Sequence, residues 1–310
     1  MIIVRVCGGL GNQMQQYALY QKLLSLGKEA KLDVSWFADK KAQASVLAPR
    51  ELELTRFGNL PMEIAAEEEI RKLRGGNGLS GKLAKKLHLT RVFEESRMYH
   101  PEIFSMEDAY LEGYFACNKY YADILPKLRG LFRFPQIEDP STREANDKLL
   151  KKMQSKEEIP VAVHIRRGDY LDAGNAKILT GICTEDYYRS ACALAEEHFA
   201  KEGLPIHFYV FSDDPAFAES CRFGTRGEEN TVVNVNHGQD AMQDIRLMAA
   251  CRGIITANST FSFWGARLNP DPAALKIRPF RHRNNQIPDP EAMHDYWAGY
   301  ALIDRDGKLR

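Results

Sequence analysis

The residues best suited to chemistry fall in a few short polar blocks, and the densest of them is His164-Ile165-Arg166-Arg167-Gly168-Asp169-Tyr170. Two adjacent guanidinium groups after an apolar run suit an anion, most naturally a phosphate or pyrophosphate held by fork-shaped donors. A surface arginine pair and a satisfied core histidine are the plain alternatives. The second block, Asn258-Ser259-Thr260, lies where a strand passes into a helix, so hydroxyls and free backbone amides can both face an anion. Ser259 reads equally well as a simple N-cap. In the third, Asp213 and Asp214 are neighbours on extended backbone and point in different directions, which favours hydrogen bonding over joint metal ligation. Asp304 and Asp306 form a weaker acidic pair in a polar tail. Asp244 can accept from a purine base or stand as an exposed acid. Asp169 and Asp172 are nominees for a general base, and Asp169 competes for a second role, orienting Arg166 or Arg167.

The elements that must position these blocks alternate regularly. Residues 159–165 form a short apolar run that predicts a buried strand. Further strands are predicted at 205–211, 231–235, 253–257 and 274–277, with helices at 186–199, 215–221, 240–251 and about 260–268. Such alternation with short connections predicts a parallel, doubly wound α/β sheet. Ligands of such sheets bind outside the strand carboxyl ends, so the three blocks are expected to converge on one crevice.

The first half also opens as a βαβ unit. Residues 2–6 read as a strand, Cys7-Gly8-Gly9-Leu10-Gly11-Asn12 as a glycine loop, 13–26 as a helix and 31–37 as a second strand. The run from Gly9 to Met14 departs from the dinucleotide fingerprint only at its third glycine, and Asp33 stands where a ribose-binding acid would. An NAD-type oxidoreductase is therefore a rival reading. Met14 opposes it by filling the space a third glycine leaves for close packing. The acidic run 63–70 has helical character. The boundary between halves is expected near 155, giving domains 1–155 and 156–310. The apolar spacing over 291–303 predicts a C-terminal helix packing back across both domains.

Composition narrows the classes. Lysine plus arginine and aspartate plus glutamate both number 42 in 310 residues, so net charge is zero and no global field favours nucleic acid. Six cysteines without a CxxC spacing suggest neither a zinc framework nor a disulfide scaffold. Met1 leads directly into a strand, without the charged and apolar regions of a signal peptide, and no run reaches the length of a membrane span. The expectation is a cytoplasmic protein. Residues 71–91 carry seven Lys or Arg and no acid. That stretch suits a solvated helical face, a charged glycan acceptor, or weak peripheral contact with anionic lipid at the inner face of the membrane.

Together, Gly8-Gly9-Leu10-Gly11-Asn12-Gln13, the block 164–170, Phe211-Ser212-Asp213-Asp214 and Ala257-Asn258-Ser259-Thr260-Phe261-Ser262 resemble glycosyltransferase family 11, the α-1,2-fucosyltransferases. The resemblance spans nearly the whole chain, and its arginine and Asn-Ser-Thr-Phe-Ser blocks are specific as a pair. It implies a GT-B fold of two Rossmann-like domains, with the acceptor on the N-terminal side and the nucleotide sugar on the C-terminal side. It implies GDP-fucose as donor, a galactose-terminated glycan as acceptor, inverting transfer, and no metal or further cofactor. By position, Arg166 would meet the pyrophosphate, supported by Ser259, Thr260 and Phe261. His164 would contact the nucleoside and Asp244 the guanine. Arg167, Asp213 and Asn258 would complete the nucleotide site. Asn12 would face the sugar or acceptor, and Arg166, Asp169 and Asn12 are the catalytic candidates. Three positions depart from the family pattern: Gln15 and Phe217 replace Phe and Trp, and Phe263 stands where Trp-Trp is usual. A nucleotide-sugar-binding protein without turnover is the third reading.

Overall fold

Short β-branched and aliphatic runs separated by amphipathic segments become strands and helices of two compact units, Met1–Arg133 and Phe134–Arg310. The computed structural model describes residues 1–44, 49–75, 91–96, 98–286 and 288–310. Most of the basic stretch 71–91, residues 76–90, lies outside the described residues.

In the first unit β1 (Ile2–Arg5), β2 (Ala30–Asp33), β3 (Val92–Glu94) and β4 (Ala109–Glu112) form a parallel sheet in the order β2-β1-β4-β3. The first helix, Leu10–Ser25, starts earlier than predicted because Gly9 is still extended and ends the loop. The second strand stops at Asp33 instead of continuing to 37. The Asp33 carboxylate accepts the Ser35 amide at 2.8 Å and turns the chain into a 3₁₀ segment, Ser35–Phe37. The acidic helix covers Glu67–Arg74. It begins late because Ile64 is held beside Leu32 in a parallel bridge.

The second unit contains β5 (Ile159–Ile165), β6 (Ile206–Ser212), β7 (Glu229–Val233), β8 (Gly253–Ile255), β9 (Leu275–Pro279) and β10 (Ala301–Ile303). All pairings are parallel, in the order β7-β6-β5-β8-β9-β10. This is the 3-2-1-4-5-6 order of a doubly wound nucleotide-binding sheet, with its switch point between β5 and β8. Val161, Val163 and Ile165 face Tyr187, Ala191 and Phe199 of the helix Glu185–Phe199 in one buried cluster. Helices Gln243–Ala249 and Thr260–Leu268 pack against each other. That contact requires Gly265, where a Cβ would come within 2.8 Å of the Met248 Cβ.

Two expectations about organisation need correction. The units divide at Arg133/Phe134 rather than near 155. The helix Pro140–Met153 belongs to the second unit, where Asn146 and Asn236 exchange buried side-chain hydrogen bonds at 2.7 and 3.2 Å. The C-terminal segment is helical only over Pro290–Tyr296. Gly299, at φ +84°, turns the chain so that Ala301–Ile303 adds a parallel strand beside β9. No described helix is long and apolar enough to cross a membrane.

Candidate active site

The three polar blocks of the second unit all follow strand carboxyl ends: 166–169 after β5, 213–214 after β6, and 258–260 after β8. Sheet order brings the first and third to the switch point. The Tyr170 hydroxyl donates to the Asn258 carbonyl at 2.9 Å, and the His164 and Phe261 rings lie 5.8 Å apart.

Arg166 is built in rather than free-standing. Its Nε and Nη2 both donate to Asp169 Oδ1, at 3.1 and 2.6 Å, and its Nη1 lies 3.2 Å from Asp213 Oδ2. Burial works against its charge, but Asp213 and Asp169 hold the guanidinium above its ordinary pKa. A guanidinium has five N–H donors, and these contacts leave at least one N–H on each Nη. Asp213 was expected to touch nucleotide, yet both its oxygens face protein: Oδ2 faces Arg166, and Oδ1 accepts the Arg167 amide at 2.8 Å. In this arrangement it holds the Arg166 guanidinium and the Arg167 amide in place. Gly168 makes this approach achievable, because a Cβ there would overlap Asp213 Oδ2.

Arg167 turns toward β6. Its Nε donates to Asp214 Oδ2 at 3.0 Å and its guanidinium lies 3.7 Å over the Phe217 ring. Asp214 also caps the helix Pro215–Ser220 through the Phe217 amide. That amide and Arg167 hold its carboxyl below the usual range. The adjacent acids are therefore acceptors for the arginine block and a helix N-terminus.

The N-terminus of the helix Thr260–Leu268 supplies the other wall. Ser259 is its N-cap, with Oγ 3.4 Å from the Phe261 amide. Thr260 is half-buried at the first turn. Asn258, expected at the nucleotide, points inward instead. Its amide group donates to the carbonyls of Leu179 and His282 at 3.0 and 3.1 Å, tying a helix end and a loop to the strand end. His164 is 4% exposed, and its Nδ1 has no hydrogen-bond partner among the described residues. Burial, with Arg166 nearby, lowers its pKa to about 3, so the imidazole is neutral.

Asp244 sits at the start of Gln243–Ala249, and helices that return across a parallel sheet begin on the strand-carboxyl side. Its Oδ1 accepts from Asn236 at 2.7 Å. Burial raises its pKa to about 7, partly offset by that bond. Asp172 precedes the helix Ala173–Leu179 and caps it with no side-chain bond. Asp304 accepts the amides of Asp306 and Lys308, both at 2.9 Å, and closes the C-terminal turn.

In the first unit Asn12 lies half-buried in the first turn of Leu10–Ser25, its amide packed against Gly8 in the loop after β1. That loop is held from inside. Gln13 donates to the carbonyls of Gly8 and Glu51 and accepts the Glu53 amide, while Gln16 accepts the Cys7 amide. Asp33 is 1% exposed and accepts from the Tyr110 hydroxyl and the Ser35 amide. Its carboxylate is engaged within the protein, which weakens the secondary support that Asp33 lent to the dinucleotide reading.

A cavity of about 620 Å³ opens under the arginine block, lined by Arg166, Arg167, Tyr170, Cys183, Tyr188 and Phe217. Tyr170 and Tyr188 had no role assigned from sequence. Tyr188 donates to the His164 carbonyl at 2.8 Å and so braces the end of β5 from the helix Glu185–Phe199. Only the aromatic pair at 187–188 on a predicted helix hinted at it.

Known proteins place this arrangement. The chain is 28% identical to the alpha-1,2-colitosyltransferase of Escherichia coli, covering 90% of this chain and 91% of that protein. It is 29% identical to the O-antigen biosynthesis glycosyltransferase WbnK of the same organism, covering 88% and 91%. The galactoside 2-alpha-L-fucosyltransferase Sec1 of Mus musculus is 25% identical, over 86% of this chain and 64% of its own. The solved fucosyltransferase NodZ from Bradyrhizobium covers 87% of this chain and 92% of its own at 12% identity and a TM-score of 0.42, too low to carry an argument. The glycosyl transferase family 11 profile matches residues 102–300, which include the arginine block, the double acid and the Asn-Ser-Thr-Phe-Ser block. The chain is a glycosyltransferase and belongs to glycosyl transferase family 11.

Proposed function

We propose that the protein transfers L-fucose from GDP-fucose to the 2-hydroxyl of a terminal galactoside, with inversion and without a catalytic metal. The observation that carries this reading is Arg166, held by Asp169 and Asp213 with N–H groups left over and packed on Tyr170, whose hydroxyl donates to Asn258 just before Thr260–Leu268. In the reaction the acceptor oxygen attacks the anomeric carbon while the bond to GDP breaks. The hydroxyl proton leaves to a base on the attacking side, and a full negative charge moves onto the departing pyrophosphate. Arg166 and the helix amides meet that charge, a contact worth about 3–4 kcal/mol where it strengthens in the transition state. The carboxylates nearest the arginines are engaged with guanidinium groups, which suits single displacement without a covalent intermediate. Asp244 is the proposed guanine acceptor, and Asn12 the residue facing sugar or acceptor. His164, being neutral and deeply buried, supports Phe261 beneath the nucleoside.

Likeness to a colitosyltransferase gives a second donor a specific basis. Colitose lacks the 3-hydroxyl of fucose. A site that hydrogen-bonds that hydroxyl rejects the deoxy sugar by roughly 10⁴-fold, whereas an apolar site discriminates weakly. The test is incubation with GDP-fucose or GDP-colitose and a β-galactoside, followed by linkage analysis of the product. A 2-linked fucoside formed with the higher kcat/KM supports the proposal. Preference for GDP-colitose transfers it to the second donor, and tight GDP binding with no turnover on any acceptor overturns it.

A further inference from the structure

We infer that the second unit carries a divalent metal site of the zinc type, with Glu158, His207 and Glu229 as its ligands. The three side chains come together because parallel pairing aligns the amino ends of three strands. Glu158 precedes β5, and His207 of β6 stands opposite Pro160 on one side and Glu229 of β7 on the other. The arginine block follows the other end of β5, seven residues and roughly 23 Å of extended chain away.

The spacing suits an ion. Zinc binds nitrogen and oxygen ligands at about 2.0–2.1 Å, and tetrahedral corners at that radius are about 3.3 Å apart. His207 Nδ1 lies 3.0 Å from Glu158 Oε2 and 3.2 Å from Glu229 Oε2. All three ligand atoms fall within 4.8 Å of one another, the one such group of three or more among the described residues. The fourth corner is held by the Lys152 ammonium, 3.2 Å from His207 Nδ1 and 3.6 and 3.8 Å from the two carboxylates. A cation already sits against these acceptors, beside the centre an ion would take. It sits there loosely, because the Lys152 side chain is 47% exposed and its two carboxylate distances are too long for good hydrogen bonds.

The ligands are also oriented from behind, as metal ligands usually are. His207 is buried, and its Nε2 lies 2.8 Å from the Thr231 hydroxyl. Without an ion Nδ1 pairs with Glu158 Oε2 at 3.0 Å; with an ion bound, Nε2–H would donate to Thr231 and turn the Nδ1 lone pair to the metal. The Tyr209 hydroxyl donates to Glu158 Oε1 and leaves Oε2 for the ion. The Tyr209 ring stacks on the imidazole at 4.4 Å. An entry path exists, since a cavity of about 450 Å³ opens onto all three ligands. One imidazole, two carboxylates and a corner left for water suit a first-row divalent ion better than calcium or magnesium, which take more oxygen ligands. The ion would displace the ammonium into water and tie three strands together, far from the transfer chemistry.

The full chain, stripped with EDTA and desalted, is titrated with ZnCl₂ by calorimetry and with CoCl₂ by visible absorption. We expect one ion per chain, a higher Tm with Zn²⁺, and a tetrahedral Co²⁺ spectrum that Zn²⁺ abolishes. Glu229→Gln should weaken binding at least tenfold and leave transfer activity unchanged, because Glu229 is 78% exposed and remote from the arginines. Lys152→Ala should tighten binding by removing the competing ammonium. No saturable binding to the wild type, equal affinity in Glu229→Gln, or weaker affinity in Lys152→Ala would each mean an ion-pair cluster only.

Discussion

Gly168 offers a sharp test of how Arg166 is held. Its φ is not positive, so alanine meets no backbone strain, but the added Cβ would overlap Asp213 Oδ2 and lie 3.2 Å from its Cγ. The carboxylate must retreat by roughly 1 Å to reach ordinary contact. That movement opens the 3.2 Å pairing with Arg166 Nη1 and the 2.8 Å bond from the Arg167 amide. Arg166 keeps Asp169 and loses its second anchor. A misplacement of about 1 Å costs on the order of a hundredfold, so Gly168→Ala should lower kcat/KM by about that factor, or about 2.7 kcal/mol. The steric cost to stability should stay within about 1–3 kcal/mol. The assay is GDP release under saturating acceptor, with urea unfolding run in parallel and both repeated on an Asp213→Ala background. There the overlap is gone, and Gly168→Ala should add little. Activity within threefold of wild type in a folded Gly168→Ala protein, or an equal loss on both backgrounds, would refute this account of the site.

Arg166→Ala should lower turnover by about a hundredfold or more, and Arg166→Lys should recover little of it, since a point charge cannot make the paired contacts of the fork; single-turnover kinetics with GDP-fucose will show it. EDTA should leave the rate of transfer nearly unchanged. Asp244, whose carboxyl burial lifts to about 7, must be ionised to accept from guanine. GDP affinity measured by calorimetry should therefore fall as pH drops below about 7, and Asp244→Asn should bind weakly with a flat profile. His164 has a native pKa near 3, below its ordinary 6.5, so only the unfolded chain takes up its proton between those values. Stability should decline by about 1.4 kcal/mol per pH unit from this group as pH falls through that window, and His164→Phe should remove that component in urea melts at pH 7 and pH 5.

Much of this molecule is legible in its residues taken in order. The period of the apolar runs, the turn residues between them and the polar blocks at strand ends are local properties, and they predict a parallel α/β protein with its chemistry at the carboxyl ends of β5, β6 and β8. The resemblance to family 11 rests on contiguous motifs and is local in the same sense. What a side chain faces is not local. Asp213 and Arg166 meet across 47 positions because β6 pairs beside β5, and that contact turns an expected nucleotide ligand into a positioning residue. Asn258 has a ligand-like place in its motif, yet the helix end at Leu179 and the loop at His282 present carbonyls that take both its amide hydrogens. The C-terminal segment has helical spacing, but the open edge of β9 offers unpaired backbone groups, and 301–303 satisfies them as a strand. Sequence by itself determined most of the elements and where reactive residues cluster along the chain. Only the tertiary structure decided which donors and acceptors remain for a ligand, because hydrogen-bond partners are chosen among residues distant in sequence, once sheet order has put them within reach.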